Sequence, residues 1–167
     1  MAFESMTDDR IDSLLKTPKR IINPAARMVP DANHDRQDYV VQSVDGSENF
    51  KVFARQNKTV NDDFSCGLMW VSPGGESMIL TRYNGSSHEH PNKIEKNKIS
   101  YDCHIHLATE RYIKANMRPE SFATKTDAYK TCEGALHSLV TEWNITGIET
   151  KPDHPEFRFD ELERKLD

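Results

Sequence analysis

The chain has 167 residues, 36% hydrophobic and 29% charged, which suits one soluble globular domain with a real core and some polar margin. Its net charge of −5 lacks the basic excess of a protein that coats nucleic acid, so any RNA contact must come from a local patch. No run reaches the roughly 18 apolar residues of a membrane span, so no membrane role is expected.

The start (Met1-Ala2-Phe3-Glu4-Ser5) has neither the basic residues nor the apolar core of a signal peptide. Thr7 is expected to cap a helix over 8–16, with Asp8 and Asp9 in its first turn and Ile11, Leu14 and Leu15 as its apolar stripe. Pro18 stops it. Residues 25–37 read as a loop, Tyr39 to Val41 as a short strand, and Asp45-Gly46 as a turn. The alternation from Phe50 to Asn57 predicts a strand with apolar residues on both faces. Strands are expected from Phe64 to Val71 and from Met78 to Tyr83, joined by the tight turn at 72–75. The polar stretch 86–98 reads as a loop with a small hairpin, and Ile99 to Leu107 as the last strand. Thr109 to Ala115 suggests a helical turn. Tyr129, Cys132, Leu136, Leu139, Val140 and Trp143 recur at helical spacing and predict a long helix over 126–143, capped by Thr126 or Thr124. A polar stretch and a short helix at 160–166 close the chain.

Strands first and helices after give α+β: an antiparallel β-meander of about five strands packed against the long helix of the C-terminal half. The organisation is a single domain over 1–167. An N-terminal helix and its stop occupy 8–24, a sheet region with a histidine cluster 39–107, a helical region 108–146 and a polar tail 147–167.

Four of the seven histidines fall in two His-x-His pairs, His88-Glu89-His90 and His104-Ile105-His106. On a strand, residues two apart share a face, so each pair can present two imidazoles to one side. Three readings follow. As a metal site, His88, His90, His104 and His106 supply nitrogen ligands, with Glu110, Glu95 or Asp102 to complete the set around a divalent ion. As a metal-free site, His104 and His106 act as base and acid with His88 as partner, while Arg82 or Lys93 stabilises phosphate charge. As plain structure, the imidazoles form a half-exposed polar face and fix the Asn84-Gly85 turn. The spacing from His88 to Glu95 also matches the first metal motif of the cupins, but the second motif has no counterpart here.

The run Arg82-x-Asn84-Gly85-x-x-His88-x-x-x-Asn92, followed by His104-Ile-His106 and Glu110, resembles a family of small uncharacterised bacterial proteins with an N-G-x-x-H loop and then an H-I-H strand. Leu14-Leu15-Lys-Thr-Pro18-Lys19 resembles their N-terminal helix and its stop. The resemblance covers about residues 8–115 and brings no known activity. It implies that Arg82, Asn84, Gly85, His88, His104, His106 and Glu110 form one unit, with Asn84, Gly85 and Asn92 shaping the loop. In that loop Gly85 is expected to take positive φ and Asn84 to bond its own backbone, laying His88 over His104 and His106, with His90 pointing outward or as a spare ligand.

Elsewhere, Cys66, Cys103 and Cys132 form no C-x-x-C and suit a reducing cytoplasm. Cys66 and Cys132 read as core; Cys103 and His104 face opposite sides and make no nucleophile pair. His137 and His154 read as surface and loop, Trp70 and Trp143 as core, and Lys93, Lys96 and Lys98 as a basic loop. No phosphate-binding glycine loop, dinucleotide fingerprint or serine-hydrolase elbow occurs. Two functions remain open. One is a small cytoplasmic hydrolase of the phosphodiesterase or ribonuclease type, metal-dependent or working by histidine acid and base. The other is a non-catalytic protein-binding module of a bacterial defence, toxin–antitoxin or mobile-element system, its acidity suiting a basic partner.

Overall fold

Apolar alternation in four successive segments builds the middle of one large sheet. In this computed structural model, residues 3–153 are described; His154 and the expected helix at 160–166 lie outside them. The strands are β1 (Lys19–Ile21), β2 (Val29–Asp31), β3 (His34–Ser43), β4 (Asn49–Asn57), β5 (Phe64–Val71), β6 (Ser77–Asn84), β7 (His90–Asn92), β8 (Asn97–Ile99), β9 (His104–Leu107), β10 (Phe122–Lys125) and β11 (Ile145–Thr146). The helices are α1 (Asp8–Lys16), α2 (Glu110–Lys114) and α3 (Cys132–Glu142).

The fold is α+β and mostly sheet. Nine strands form one sheet in the order β10-β9-β6-β5-β4-β3-β1-β11, with β2 on the far end of β3; β7 and β8 form a separate hairpin. Among the described residues, only β1 and β11 pair in parallel. The sheet is therefore larger than the expected meander of about five strands. The polar residues 34–37, read as loop, extend β3 because β2 and β4 take up their backbone groups. The expected last strand from Ile99 to Leu107 is two pieces, since residues 100–103 bend out of the ladder.

α1 starts where expected: the Thr7 side chain accepts from Arg10 N, and Ile11, Leu14 and Leu15 are buried. α3 is shorter than expected. Thr131, not Thr126 or Thr124, caps it by accepting from Gly134 N, and the Asp153 carboxylate accepts from the Thr131 hydroxyl and the Lys130 amide. Residues ahead of it stay out of the helix because Tyr129 turns into the core. Its hydroxyl donates to the carbonyls of Asn84 (2.8 Å) and His104 (3.1 Å), and its ring stacks on Tyr83.

The alternation gives the sheet two faces. Phe50, Val52 and Ala54 lie beside Trp70, Leu68 and Cys66 and pack with residues of α1 and α3 in the main core. On the other face, successive register partners across four strand pairs form one row, Phe53, Gly67, Arg82, His106 and Ala123. The next row is Arg55, Ser65, Asn84, His104 and Lys125. The apolar residues on both sides of β4 thus serve two different layers. No helix among the described residues is long and apolar enough to cross a membrane.

Candidate histidine site

The second face is where the two His-x-His pairs meet. His104 and His106 project from β9 beside Asn84 and Arg82 of β6. The link after β6 turns back over this face, so that His88, just before β7, and His90, its first residue, come against them. Ring centroids lie 5.0 Å apart for His104 and His106, 4.5 Å for His90 and His106, 5.7 Å for His90 and His104, and 5.1 Å for His88 and His104. His90 is therefore in the middle of the cluster and does not point outward, while His88 is the exposed member.

Three of the four rings are oriented by backbone carbonyls. His104 Nδ1 donates to Asp102 O (2.9 Å), His106 Nδ1 to Glu120 O (2.8 Å) and His90 Nε2 to Ser121 O (2.7 Å). For the two buried rings, whose charged forms burial disfavours, these bonds fix the tautomers: Nε2 of His104 and of His106 are left with lone pairs. His106 Nε2 has only a long contact, 3.4 Å, from the Asn84 amide. His104 Nε2 is buried without a hydrogen-bond partner, as is Asn84 Oδ1.

Burial disfavours the charged imidazolium, and the rings repel one another's protons. Desolvation is the main cause that holds His106 down at about 3, aided by His90 and His104, and it also lowers His104. Both are neutral near pH 7. Arg82 is held below its ordinary value by desolvation, which Glu120 at 3.5 Å opposes and Arg118 and Arg55 reinforce. Three guanidinium groups therefore act on one neighbourhood, set against one buried carboxylate, Glu120.

A hollow of about 170 Å³ opens over the cluster, lined by Arg82, Asn84, His88, His90, His106, Arg118, Glu120 and Ser121. An adjoining one of about 350 Å³ shares His90, Arg118 and Ser121 and adds Lys93. Arg118, Glu120 and Ser121 were not singled out in the sequence. They arrive through the turn before β10, which pairs back on β9, and the four-residue β10 carries no strong pattern.

Other expected members take different places. Glu110 is bound at the starts of two helices: its amide donates to Asp8 Oδ1 (2.8 Å) and its carboxylate meets Lys114 (2.7 Å). Glu95 takes Arg111 and the Tyr112 hydroxyl, and Asp102 faces Lys125 at 3.8 Å. Among the described residues, no three His, Cys, Asp or Glu side chains stand in an arrangement that holds a metal ion. Gly85 does not have positive φ. It is small because a Cβ there would sit 2.2 Å from Asp62 O and under 3 Å from the Phe64 ring. Asn84 bonds toward His106 and not to its own backbone. Asn92 is buried, and its amide clamps the β7–β8 hairpin to Ala123. No protein-family model, curated protein or solved structure matches this chain.

Proposed function

We propose that the cluster is a hydrolytic centre for phosphodiesters, with RNA as the substrate class to test first. The observation that carries this reading is the pairing of the neutral His106 imidazole with two arginines at one hollow. His106 lines it with Arg82 and Arg118, and His104 packs directly against His106. Guanidinium forks match phosphate oxygens. Neutral imidazoles there are proton acceptors waiting for a reason to charge. A phosphodiester anion beside them supplies it, since an opposite charge raises an imidazole's proton affinity and offsets the desolvation that now lowers it. In this reading His106 takes the proton from the attacking hydroxyl, and the exposed His88 donates to the leaving oxygen. Arg82 and Arg118 stabilise the charge that develops on phosphorus-bound oxygens. The adjoining hollow with Lys93 gives room for chain on one side of the phosphate.

One observation favours a second reading. Tethering a ring's other N–H to a backbone carbonyl is how metal-bound histidines are oriented, and His90, His104 and His106 all have that tether. A divalent ion would have to draw the rings together from their present arrangement.

The test is cleavage of a short labelled RNA and of bis(4-nitrophenyl) phosphate, with chelator present and with added zinc or manganese. Cleavage in chelator that falls about 100-fold or more in His106→Ala supports acid–base chemistry. Cleavage only with metal supports the second reading. No cleavage in any arm by folded protein removes both and leaves the protein-binding module.

A further inference from the structure

A second chemistry-bearing pair lies on the other face of the sheet, independent of the histidine cluster. Cys66 on β5 is fully buried under α3, and Cys132 is the first residue of α3. Their Sγ atoms are 3.8 Å apart. Two thiols at that distance are in contact, and the gap to a disulfide bond of roughly 2.05 Å is under about 2 Å. The two sulfurs differ in what reaches them. Cys132 is half-buried and lines a cavity of about 820 Å³, whose walls include Met28, Tyr39, Ala54 and Leu136. Cys66 is not among the residues lining it.

Their electrostatics differ in the same sense. Cys132 stands in the first turn of an 11-residue helix, where free N–H groups favour a thiolate. The hydrogen bond with Cys66 lowers the Cys132 thiol, against the opposing effects of burial and Glu133. The same bond, together with burial, pushes the Cys66 thiol up. One sulfur is half-buried at the cavity wall with its thiol lowered; the other is fully buried with its thiol raised.

We propose that Cys132 is a peroxide-reactive thiol and that Cys66 resolves it to an intramolecular disulfide. The Cys132 thiolate attacks one oxygen of a hydroperoxide. The S–O bond forms, the O–O bond breaks, and the departing hydroxide or alkoxide takes a proton, leaving Cys132 as a sulfenic acid. The Cys66 sulfur then attacks the Cys132 sulfur. The S–S bond forms, the S–O bond breaks, and hydroxide leaves with the Cys66 proton as water. Two thiols lose two electrons in total, and the peroxide is reduced by two. The product ties the first turn of α3 to β5 at the edge of the cavity.

The experiment treats the full chain with a few equivalents of hydrogen peroxide and maps peptides by mass spectrometry without reduction. Cys103, buried just before β9, is the internal reference. The expected result is a linked Cys66–Cys132 peptide pair, a mass loss of about 2 Da reversed by dithiothreitol, and Cys132 consumed at least about ten-fold faster than Cys103. Cys66→Ala, with Cys66→Ser as the alternative should the first not fold, should trap a dimedone-reactive sulfenic acid on Cys132. Free thiols at both positions in folded wild type, at a dose that oxidises free cysteine, overturn the proposal. So does a link through Cys103, or a rate at Cys132 equal to that at Cys103.

Discussion

Asn92 and Ala123 exchange two hydrogen bonds of 2.9 Å each, the Asn92 amide donating to Ala123 O and its carbonyl oxygen accepting from Ala123 N. The side chain thereby acts as a one-residue strand on the free edge of β10 and anchors the hairpin that begins with His90. The same amide also donates to Asn97 Oδ1 (2.9 Å), closing the hairpin on itself. Asn92→Ala strands two buried backbone groups, so it should lower unfolding stability by about 2–4 kcal/mol. Urea denaturation measures the loss. Amide exchange should show β7 and β8 opening before the rest of the sheet. A variant within about 0.5 kcal/mol of wild type would mean that the hairpin holds without the clamp.

Gly67 has a similar one-sided role in the row that contains Arg82 and His106. A Cβ there would lie 2.4 Å from the Phe53 ring, which covers the glycine while Arg36 lies over the ring. Gly67→Ala should cost about 1–3 kcal/mol through overpacking. Adding Phe53→Leu should recover part of that loss, giving a coupling of at least about 0.5 kcal/mol in a double-mutant cycle. Strictly additive losses would show that the ring is free to move aside.

Local chemistry explains which features could be read from the sequence. The Thr7 cap, the strand from Phe64 to Val71 and the placement of His104 and His106 on one side of β9 each depend on residues within a few positions of one another. Features fixed by distant partners were not legible. Helical spacing through Tyr129 pointed to a longer α3, but the phenol is held by two strand carbonyls, and the helix begins only at Thr131. Gly85 was expected to serve a turn conformation and instead makes room for Asp62 and Phe64. Arg118 and Glu120 could not be assigned because only the return of β10 along β9 brings them over the imidazoles. Glu110 has the right chemistry for a ligand, but the facing helix start at Asp8 takes its amide and Lys114 takes its carboxylate.

Burial of His106 makes stability depend on pH. Its value in the folded protein is about 3, against about 6.5 in an unfolded chain, so between those values the unfolded state binds the extra proton. The contribution is complete above about pH 6.5 and is lost as pH falls toward 3. His104, lowered for the same main reason, acts in the same direction. On the order of 3 kcal/mol should disappear between pH 7 and pH 4 on account of His106. Denaturant midpoints across that range measure it, and His106→Gln should flatten the profile. An unchanged slope in that variant would assign the acid sensitivity to other groups.

The arginines predict an anion effect that needs no catalysis. Arg118 is exposed, whereas Arg82 is partly covered and faces Glu120 at 3.5 Å, so Arg118 can be replaced with little risk to the fold. Inorganic phosphate bound between them should stabilise the folded state, by about 1.4 kcal/mol when its concentration is ten times its dissociation constant. The thermal midpoint of wild type should therefore rise with phosphate beyond any rise in sodium chloride of equal ionic strength, which screens surface charge without filling the hollow. Arg118→Ala should lose most of that difference while keeping its midpoint in chloride. Equal responses to the two salts in wild type would mean that the guanidinium groups do not hold an anion. The phosphodiester reading would then lose its binding step, whatever the imidazoles do.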